Sequence, residues 1–139
     1  NGGPERTFKP YCHDQNIASL TYTSLEQGLL TGKGTLDREF DPGDFCPDVG
    51  EWKPWFRPQN LARLLATFTG WQELLEHYHC SIAQLVIAWT AFESRASHIL
   101  RGSRSARQAV ENAAGGDIVL SDLDAARITT DLDKLGAPN

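Results

Sequence analysis

Two short apolar segments separated by long helical stretches constrain the fold of this chain more than any other feature. Residues 17–22 combine β-branched and aromatic side chains in a run long enough for one buried strand. Residues 97–100 form a second strand candidate. Strands that alternate with helices form parallel β/α units. The sequence therefore predicts an α/β fold in which two parallel strands are accompanied mostly by helix.

Helical patterns occupy most of the remaining chain. A short helix is expected over residues 5–16, and apolar side chains recur at three- and four-residue spacing from Asn60 to Tyr78, with an interruption at Gly70. Ser81 precedes an apolar segment that runs from Ile82 to Phe92. Further helices are expected over residues 105–114 and from residue 121 to just before 136. The three later helices share a Ser-x-x-Gln or Ser-x-x-Asp capping pattern, which begins at Ser81, Ser105 and Ser121.

Two connections are predicted to be irregular. Residues 23–34 are rich in glycine and small hydroxyl side chains, which favours a loop. Residues 35–58 contain the turn sequence Asp41-Pro42-Gly43-Asp44 and an aromatic group formed by Trp52, Trp55 and Phe56. Loops of this length within a compact domain are usually functional or mobile.

The pattern also indicates an incomplete structure. A sheet of two strands is marginal in water, and parallel strands need cover on both faces. The segment 82–92 is apolar nearly all round and therefore needs neighbours on every side. We expect residues 1–139 to form one partial domain of a larger β/α structure, completed either by further chain or by self-association that covers an exposed sheet edge.

Composition excludes several classes of function. The net charge of −5 does not suit a protein that binds nucleic acid through the phosphate backbone. No apolar run approaches the roughly 20 residues of a membrane span. The first residues lack the apolar segment of a secretory signal, so a cytoplasmic location is expected.

Metal binding is not expected either. The three cysteines are widely spaced and form no C-x-x-C pair. His77 and His79 are two residues apart, so on a helix their side chains point in nearly opposite directions.

A local basic cluster points to a small anionic ligand. Arg95, Arg101, Arg104 and Arg107 lie in one short stretch of an otherwise acidic chain. Gly102-Ser103-Arg104-Ser105 follows the second strand and precedes a helix, whose free amides and dipole favour an anion. A guanidinium adds a planar donor suited to phosphate. The alternative interpretation, a capped surface helix with solvated arginines, remains open on these residues alone.

Five ordered segments resemble the aldo-keto reductase family, in its seventh and eighth barrel strands. They are Pro10-Tyr11-Cys12, Tyr22 to Lys33 with its G-L-L-T-G-K sequence, residues 40–45, residues 83–89 and the G-x-R-x-x-x-Q-x-x-E-N pattern from Gly102 to Asn112. The resemblance implies the C-terminal part of a (β/α)8 TIM barrel that binds NADP(H). Members of this family bind the dinucleotide without a Rossmann fold.

The resemblance also implies the positions of the cofactor contacts. The loop after the first strand would line the pyrophosphate, the turn after the second strand would hold the 2′-phosphate, and the following helix would hold the adenine and ribose. These residues are, respectively, Ser24, Leu25, Gln27, Gly28 and Leu29; Gly102, Ser103 and Arg104; and Gln108, Glu111 and Asn112.

Three departures from the family pattern affect these contacts. Thr23-Ser24 stands where the family has Ser-Pro, so the matching hydroxyl is either that of Thr23 or that of Ser24. Arg101 replaces the usual proline, and Ser103 replaces the usual alanine.

The resemblance places the catalytic Asp, Tyr, Lys and His in the first half of the barrel, outside this chain. Tyr22 and Lys33 are poor substitutes as an acid and its partner, because Tyr22 matches a strand-end packing residue. We therefore expect an NADP(H)-binding portion of an oxidoreductase that reduces aldehydes or ketones and is inactive alone. The alternative is a catalytically silent nucleotide-binding or protein-interaction module derived from the family.

Overall fold

The computed structural model describes residues 10–12, 14–34, 53–94 and 98–139. Two strands, β1 (Leu20–Thr21) and β2 (His98–Ile99), pair in parallel. Leu20 lies opposite His98, and Thr21 lies opposite Ile99. The predicted pair of parallel strands is confirmed, although each strand contributes only two residues to the ladder.

Helices make up most of the described chain. They are α1 (Pro58–Thr69), α2 (Gln72–His77), α3 (Ile82–Ser94), α4 (Ala106–Gly115) and α5 (Asp122–Leu135). Two short 3₁₀ segments cover Glu26–Thr31 and Pro54–Phe56. Residues 10–12 and 14 are also helical, in agreement with the end of the predicted first helix, whereas residues 5–9 lie outside the described part. No helix in these described ranges is long and apolar enough to cross a membrane.

The capping serines occupy the helix starts that their spacing predicts. The Ser105 hydroxyl accepts a hydrogen bond from the Gln108 amide at 3.2 Å, and the Ser121 hydroxyl accepts one from the Asp124 amide at 3.1 Å. Each bond satisfies an amide that has no partner inside its own helix. Helices α4 and α5 therefore begin where the sequence indicates.

The predicted helix from Asn60 to Tyr78 is divided in two. Gly70 caps α1, and Trp71 turns out of the helix with its amide bonded to the Phe68 carbonyl at 3.0 Å. Trp71 is fully buried, and its indole donates to the Asp131 carboxylate at 3.1 Å. The break thus places a large aromatic ring in the core, which outweighs the continuity of the helical pattern.

Two boundaries of the predicted irregular regions also differ. Helix α1 begins at Pro58, since proline is well suited to the first helical position. The loop over residues 23–34 contains the 3₁₀ segment Glu26–Thr31, within which Gln27 and Gly28 have φ values of 56° and 93°.

Residues 35–52, with the predicted turn and Trp52, lie outside the described residues. Trp55 and Phe56 are half-buried against the core.

Helix α3 lies at the centre of the packing. Residues 83 and 85–88 are buried, as predicted for a segment that is apolar nearly all round. This helix contacts β2, α4, α5 and the 3₁₀ segment Glu26–Thr31. Together these neighbours bury α3 and hold the helices against one side of the strands.

On the opposite side of the sheet, the described residues expose apolar side chains. Side chains alternate across a strand, so Leu20 and Tyr22 share one face of β1, as His98 and Leu100 do in β2. Leu20 is 58 %, Tyr22 79 % and Leu100 51 % exposed. Ile99, which has the other orientation, packs against the core. One face of the sheet therefore carries helices and the other carries exposed apolar side chains. This arrangement is a partial α/β barrel.

Candidate functional site at the strand ends

The two loops that carry the predicted contacts begin at the same edge of the sheet. Because β1 and β2 are parallel neighbours, Tyr22 and Leu100 each follow a carboxyl end of a strand. The Leu100 amide donates to the Thr21 carbonyl at 2.8 Å, which holds the two strand ends together. In β/α proteins this edge is where ligands bind.

The loop after β1 has two kinds of predicted residue. Leu25 and Leu29 are 1 % and 5 % exposed and belong to the core, so their side chains are not available at the surface. Gln27 is exposed, whereas Gly28 and Ser24 are half-buried. The buried leucines fix the loop against α3, and the residues between them form its outer surface.

The two hydroxyls of this loop differ in their partners. The Thr23 hydroxyl donates to the Tyr22 carbonyl at 2.8 Å. The Ser24 hydroxyl lies 3.5 Å from that of Thr21. The proton of Thr23 is therefore already used within the chain, while among the described residues the Ser24 hydroxyl has only this long contact.

The turn after β2 is ordered by the helix that follows it. The Gln108 side-chain oxygen accepts from the Arg104 amide at 2.8 Å. The Asn112 amide nitrogen donates to the Ser103 hydroxyl at 3.0 Å. Two of the predicted helix residues thus hold two of the predicted turn residues in position, so the second group of contacts is brought together.

Gly102 leaves space above the turn. A Cβ atom built on this residue meets no atom within 4 Å. Ser103, Arg104 and Ser105 are exposed beside it, at the amino end of α4. Open backbone, hydroxyls, a guanidinium and a helix amino end are the groups with which proteins recognise phosphate. The residues present therefore fit a phosphorylated nucleotide.

Glu111, on α4, contacts both the loop after β1 and the start of α3. One carboxylate oxygen accepts from the Ser81 hydroxyl at 3.3 Å, and the other lies 3.6 Å from the Lys33 ammonium. The Gln84 side chain donates to the Glu111 carbonyl at 3.1 Å. The role of Lys33 as a partner of Glu111 was not predicted from the sequence. Its place at the end of the G-L-L-T-G-K segment could have drawn attention to Lys33, but not to its partner.

The arginines of the predicted basic cluster differ in their exposure at this edge of the sheet. Arg104 and Arg107 are exposed and Arg101 is half-buried, while Arg95 lies outside the described residues. Burial lowers the pKa of the Arg101 guanidinium. Its Nε is buried and has no hydrogen-bond partner in the described structure.

A shallow groove of about 350 Å³ lies elsewhere, between α1 and α5. Its walls include Arg63, Thr67, Asp131 and Lys134. Lys134 and Asp131 pair with each other at 3.5 Å. This groove contains none of the predicted contacts and therefore provides a reference surface away from the strand ends.

The chain is similar to known reductases over most of its length. It is 37 % identical over 121 residues to the NADH-specific methylglyoxal reductase of Escherichia coli (strain K12), covering 87 % of this chain and 35 % of that protein. It is 31 % identical over 105 residues to the aldo-keto reductase YhdN of Bacillus subtilis (strain 168), covering 75 % and 30 % respectively. The chain thus spans about a third of the length of these relatives.

A solved structure shares the fold. The glycerol dehydrogenase AKR11B4 from Gluconobacter oxydans superimposes with a TM-score of 0.78 and 24 % sequence identity, covering 98 % of this chain and 40 % of that one. The profile of the Aldo/keto reductase family matches residues 3–132. Members of this family use nicotinamide cofactors. The match extends through both strands and both strand-end loops, and this chain belongs to the aldo-keto reductase family.

Proposed function

We propose that this chain is the NADP(H)-binding portion of an aldo-keto reductase that reduces carbonyl groups of aldehydes or ketones. The catalytic Asp, Tyr, Lys and His would lie on the N-terminal part of the barrel, outside residues 1–139. Within this chain, the loop after β1 would contact the pyrophosphate. The turn after β2 and the first turns of α4 would contact the adenosine half.

The observation that carries this proposal is the open backbone at Gly102. It directly precedes the exposed Ser103 and Arg104 at the amino end of α4, and a Cβ placed there meets no atom within 4 Å beyond its chain neighbours. A phosphate needs both close backbone approach and convergent donors. The expected adenine and ribose contacts, Gln108 and Asn112, already brace this turn.

The proposed preference is for NADP(H) over NAD(H). The two differ by the 2′-phosphate, and Arg104 is in the position that the family resemblance assigns to that group. A guanidinium is suited to phosphate by its charge and by its planar pair of donors. One relative is named as specific for NADH, which is the opposite cofactor preference. Binding of the two cofactors to this chain must therefore be compared directly.

The open face of the sheet supports a requirement for further protein. Leu20, Tyr22 and Leu100 expose apolar surface that a closed barrel would cover. We infer that an N-terminal half barrel, or a second copy of the chain, covers this face. Light scattering tests the inference, since a stable, well-packed monomer would contradict it.

Titration of NADPH, followed by its fluorescence, tests the cofactor role. The wild-type chain should bind saturably, and Arg104→Ala should weaken binding by about tenfold, the loss expected for one charge-assisted contact. Arg127→Ala is the matched control, because Arg127 bonds to Glu73 and Gly70 away from the strand ends. Equal affinities for wild type and Arg104→Ala would remove Arg104 from the 2′-phosphate role.

A turnover assay tests the assignment of the chemistry to the rest of the barrel. With NADPH and a generic aldehyde, the isolated chain should oxidise no more cofactor than buffer does. Appreciable turnover by these 139 residues would show that they contain the catalytic groups themselves.

The second candidate is a catalytically silent nucleotide-binding or protein-interaction module. Exposed apolar side chains on the helical side favour it, since Val110, Val119 and Leu123 are 71 %, 87 % and 79 % exposed. If an N-terminal half barrel is supplied and NADPH binds without turnover, this candidate replaces the first.

A further inference from the structure

Arg101 contains a buried donor that no described group satisfies. Its Nε is inaccessible to solvent and makes no hydrogen bond within the described residues. Burial without a partner disfavours the charged guanidinium and lowers its pKa. Buried donors in folded proteins nearly always have an acceptor, so an unsatisfied one indicates an acceptor that is supplied by something else.

The position of Arg101 indicates which end of a dinucleotide it faces. Ile99 packs into the core, Leu100 is 51 % exposed, and the alternation along the strand returns Arg101 to the side of Ile99. That side faces the helix layer rather than the open face of the sheet. Helix α4, with Gln108 and Asn112, belongs to this layer. Arg101 therefore lies towards the proposed adenosine half of the cofactor.

We propose that Arg101 is a second arginine for the 2′-phosphate of NADP(H) and sets the preference of this chain for the phosphorylated cofactor. The inference rests on the proposed function and deepens it. In the family pattern this position is usually proline, which has neither a side-chain donor nor an amide hydrogen. The contact is thus an addition specific to chains that carry arginine here.

The chemistry favours a phosphate acceptor. A guanidinium presents several donors in a fixed plane, and two arginines can share the oxygens of one dianionic phosphate. Arg101 and Arg104 are three residues apart and flank Gly102, where the backbone is open. The Glu111 carboxylate on α4 is engaged by Ser81 and Lys33. Within the described residues the Arg101 Nε thus has no acceptor, which leaves this donor for an external anion.

Calorimetric titration with two nucleotides isolates the 2′-phosphate. Adenosine 2′,5′-bisphosphate and adenosine 5′-monophosphate are titrated separately into the wild-type chain, Arg101→Gln, Arg101→Lys and the control Arg127→Gln. Arg101→Gln should weaken binding of the bisphosphate by about tenfold and leave the monophosphate within about twofold, since only the former has the 2′-phosphate. Arg101→Lys should give an intermediate loss for the bisphosphate, because it keeps the charge but not the planar fork.

The other outcomes are distinct. Equal losses for both nucleotides, or no loss for either, would overturn the role of Arg101 while leaving the proposed function in place. In that case a carboxylate of the remaining barrel would be the acceptor. If the wild-type chain binds neither nucleotide, the proposed function fails together with this inference. Thermal melting of each variant, with Arg127→Gln as reference, separates loss of binding from loss of fold.

Discussion

The Lys33 ammonium lies 3.6 Å from a carboxylate oxygen of Glu111, and this ion pair joins the loop after β1 to helix α4. The second oxygen of Glu111 accepts from the Ser81 hydroxyl at 3.3 Å, at the start of α3. Three elements that are separate in sequence therefore meet at one carboxylate. The contact holds the loop after β1 against α4, the helix that follows the turn after β2.

The two contacts of Glu111 should differ in energy. Glu111→Gln keeps an acceptor for Ser81 but removes the charge opposite Lys33, whose side chain is 60 % exposed, so it should cost less than about 1 kcal/mol of unfolding free energy. Glu111→Ala also leaves Ser81 without its acceptor and should cost about 1–2 kcal/mol. Urea denaturation of both variants measures the difference. Equal costs would mean that the ion pair, not the hydrogen bond, dominates.

Substitution by alanine should destabilise the chain at Gly115 but have little effect on stability at Gly102. At Gly115 an added Cβ lies 3.1 Å from both Gln84 Cα and Ile87 Cβ, so Gly115→Ala should destabilise by about 1–3 kcal/mol despite its better helix propensity. At Gly102 there is open space, so Gly102→Ala should change stability by less than about 0.5 kcal/mol.

The same glycine pair separates stability from binding. Gly102→Ala should weaken NADPH binding, because its methyl group occupies the space proposed for a phosphate. Melting curves and NADPH titrations on both variants provide the comparison. A Gly102→Ala chain with unaltered NADPH affinity would argue against close approach of the cofactor at this turn.

Asp124 should make stability sensitive to acid. Its carboxylate accepts from the Tyr78 hydroxyl at 2.6 Å and from the Ser121 hydroxyl at 2.7 Å, and these bonds lower its pKa below the ordinary 3.8. The folded state therefore binds the proton less readily than the unfolded state does. The resulting stabilisation is fully present above about pH 4 and is lost as the pH falls towards the lowered pKa.

Asp124→Asn tests this assignment. Urea unfolding from neutral pH down to about pH 3 should show a smaller loss of stability for the variant than for the wild type, because the variant lacks the titrating group. Parallel curves for the two proteins would mean that other carboxylates account for the acid sensitivity.

Asn60 should be the most sensitive polar position of the α1 region. It is fully buried, its side-chain nitrogen donates to the carbonyls of Pro54 and Asn139, and its oxygen accepts from the Asn139 amide. Asn60→Ala leaves these backbone groups without their hydrogen-bond partner and should lower the free energy of unfolding by about 2–3 kcal/mol. Asn112→Ala, at a half-buried position with a bond to Ser103, should cost less than about 1 kcal/mol. Chemical denaturation of both variants measures the two losses of stability. A smaller loss for Asn60→Ala than for Asn112→Ala would contradict this prediction.

Local chemistry made much of the fold predictable. Ser105 and Ser121 cap helices because a hydroxyl at that spacing satisfies a free amide, whatever the rest of the structure does. The burial of residues 85–88 follows equally directly from an apolar surface on every side. The break in the helix at Trp71 was harder to predict, because it depends on Asp131, a residue distant in sequence that accepts a hydrogen bond from the buried indole.

The candidate site was predictable as two groups of residues but not as a set of contacts. Glu26 and Gln27 have positive φ values of 42° and 56° between the buried Leu25 and Leu29, although neither residue is a glycine. The pairing of Lys33 with Glu111 likewise joins residues far apart in sequence. Such contacts depend on tertiary geometry, which spacing along the chain does not encode.

The location of the cofactor site can be measured most directly by amide NMR of the chain during titration with NADPH. We predict that the shifts cluster in residues 24–29, 102–104 and the first turns of α4. Amides that line the groove between α1 and α5, such as those of Thr67 and Lys134, should stay unchanged. Shifts concentrated in that groove, or the absence of any saturable change, would contradict a cofactor site at the strand ends.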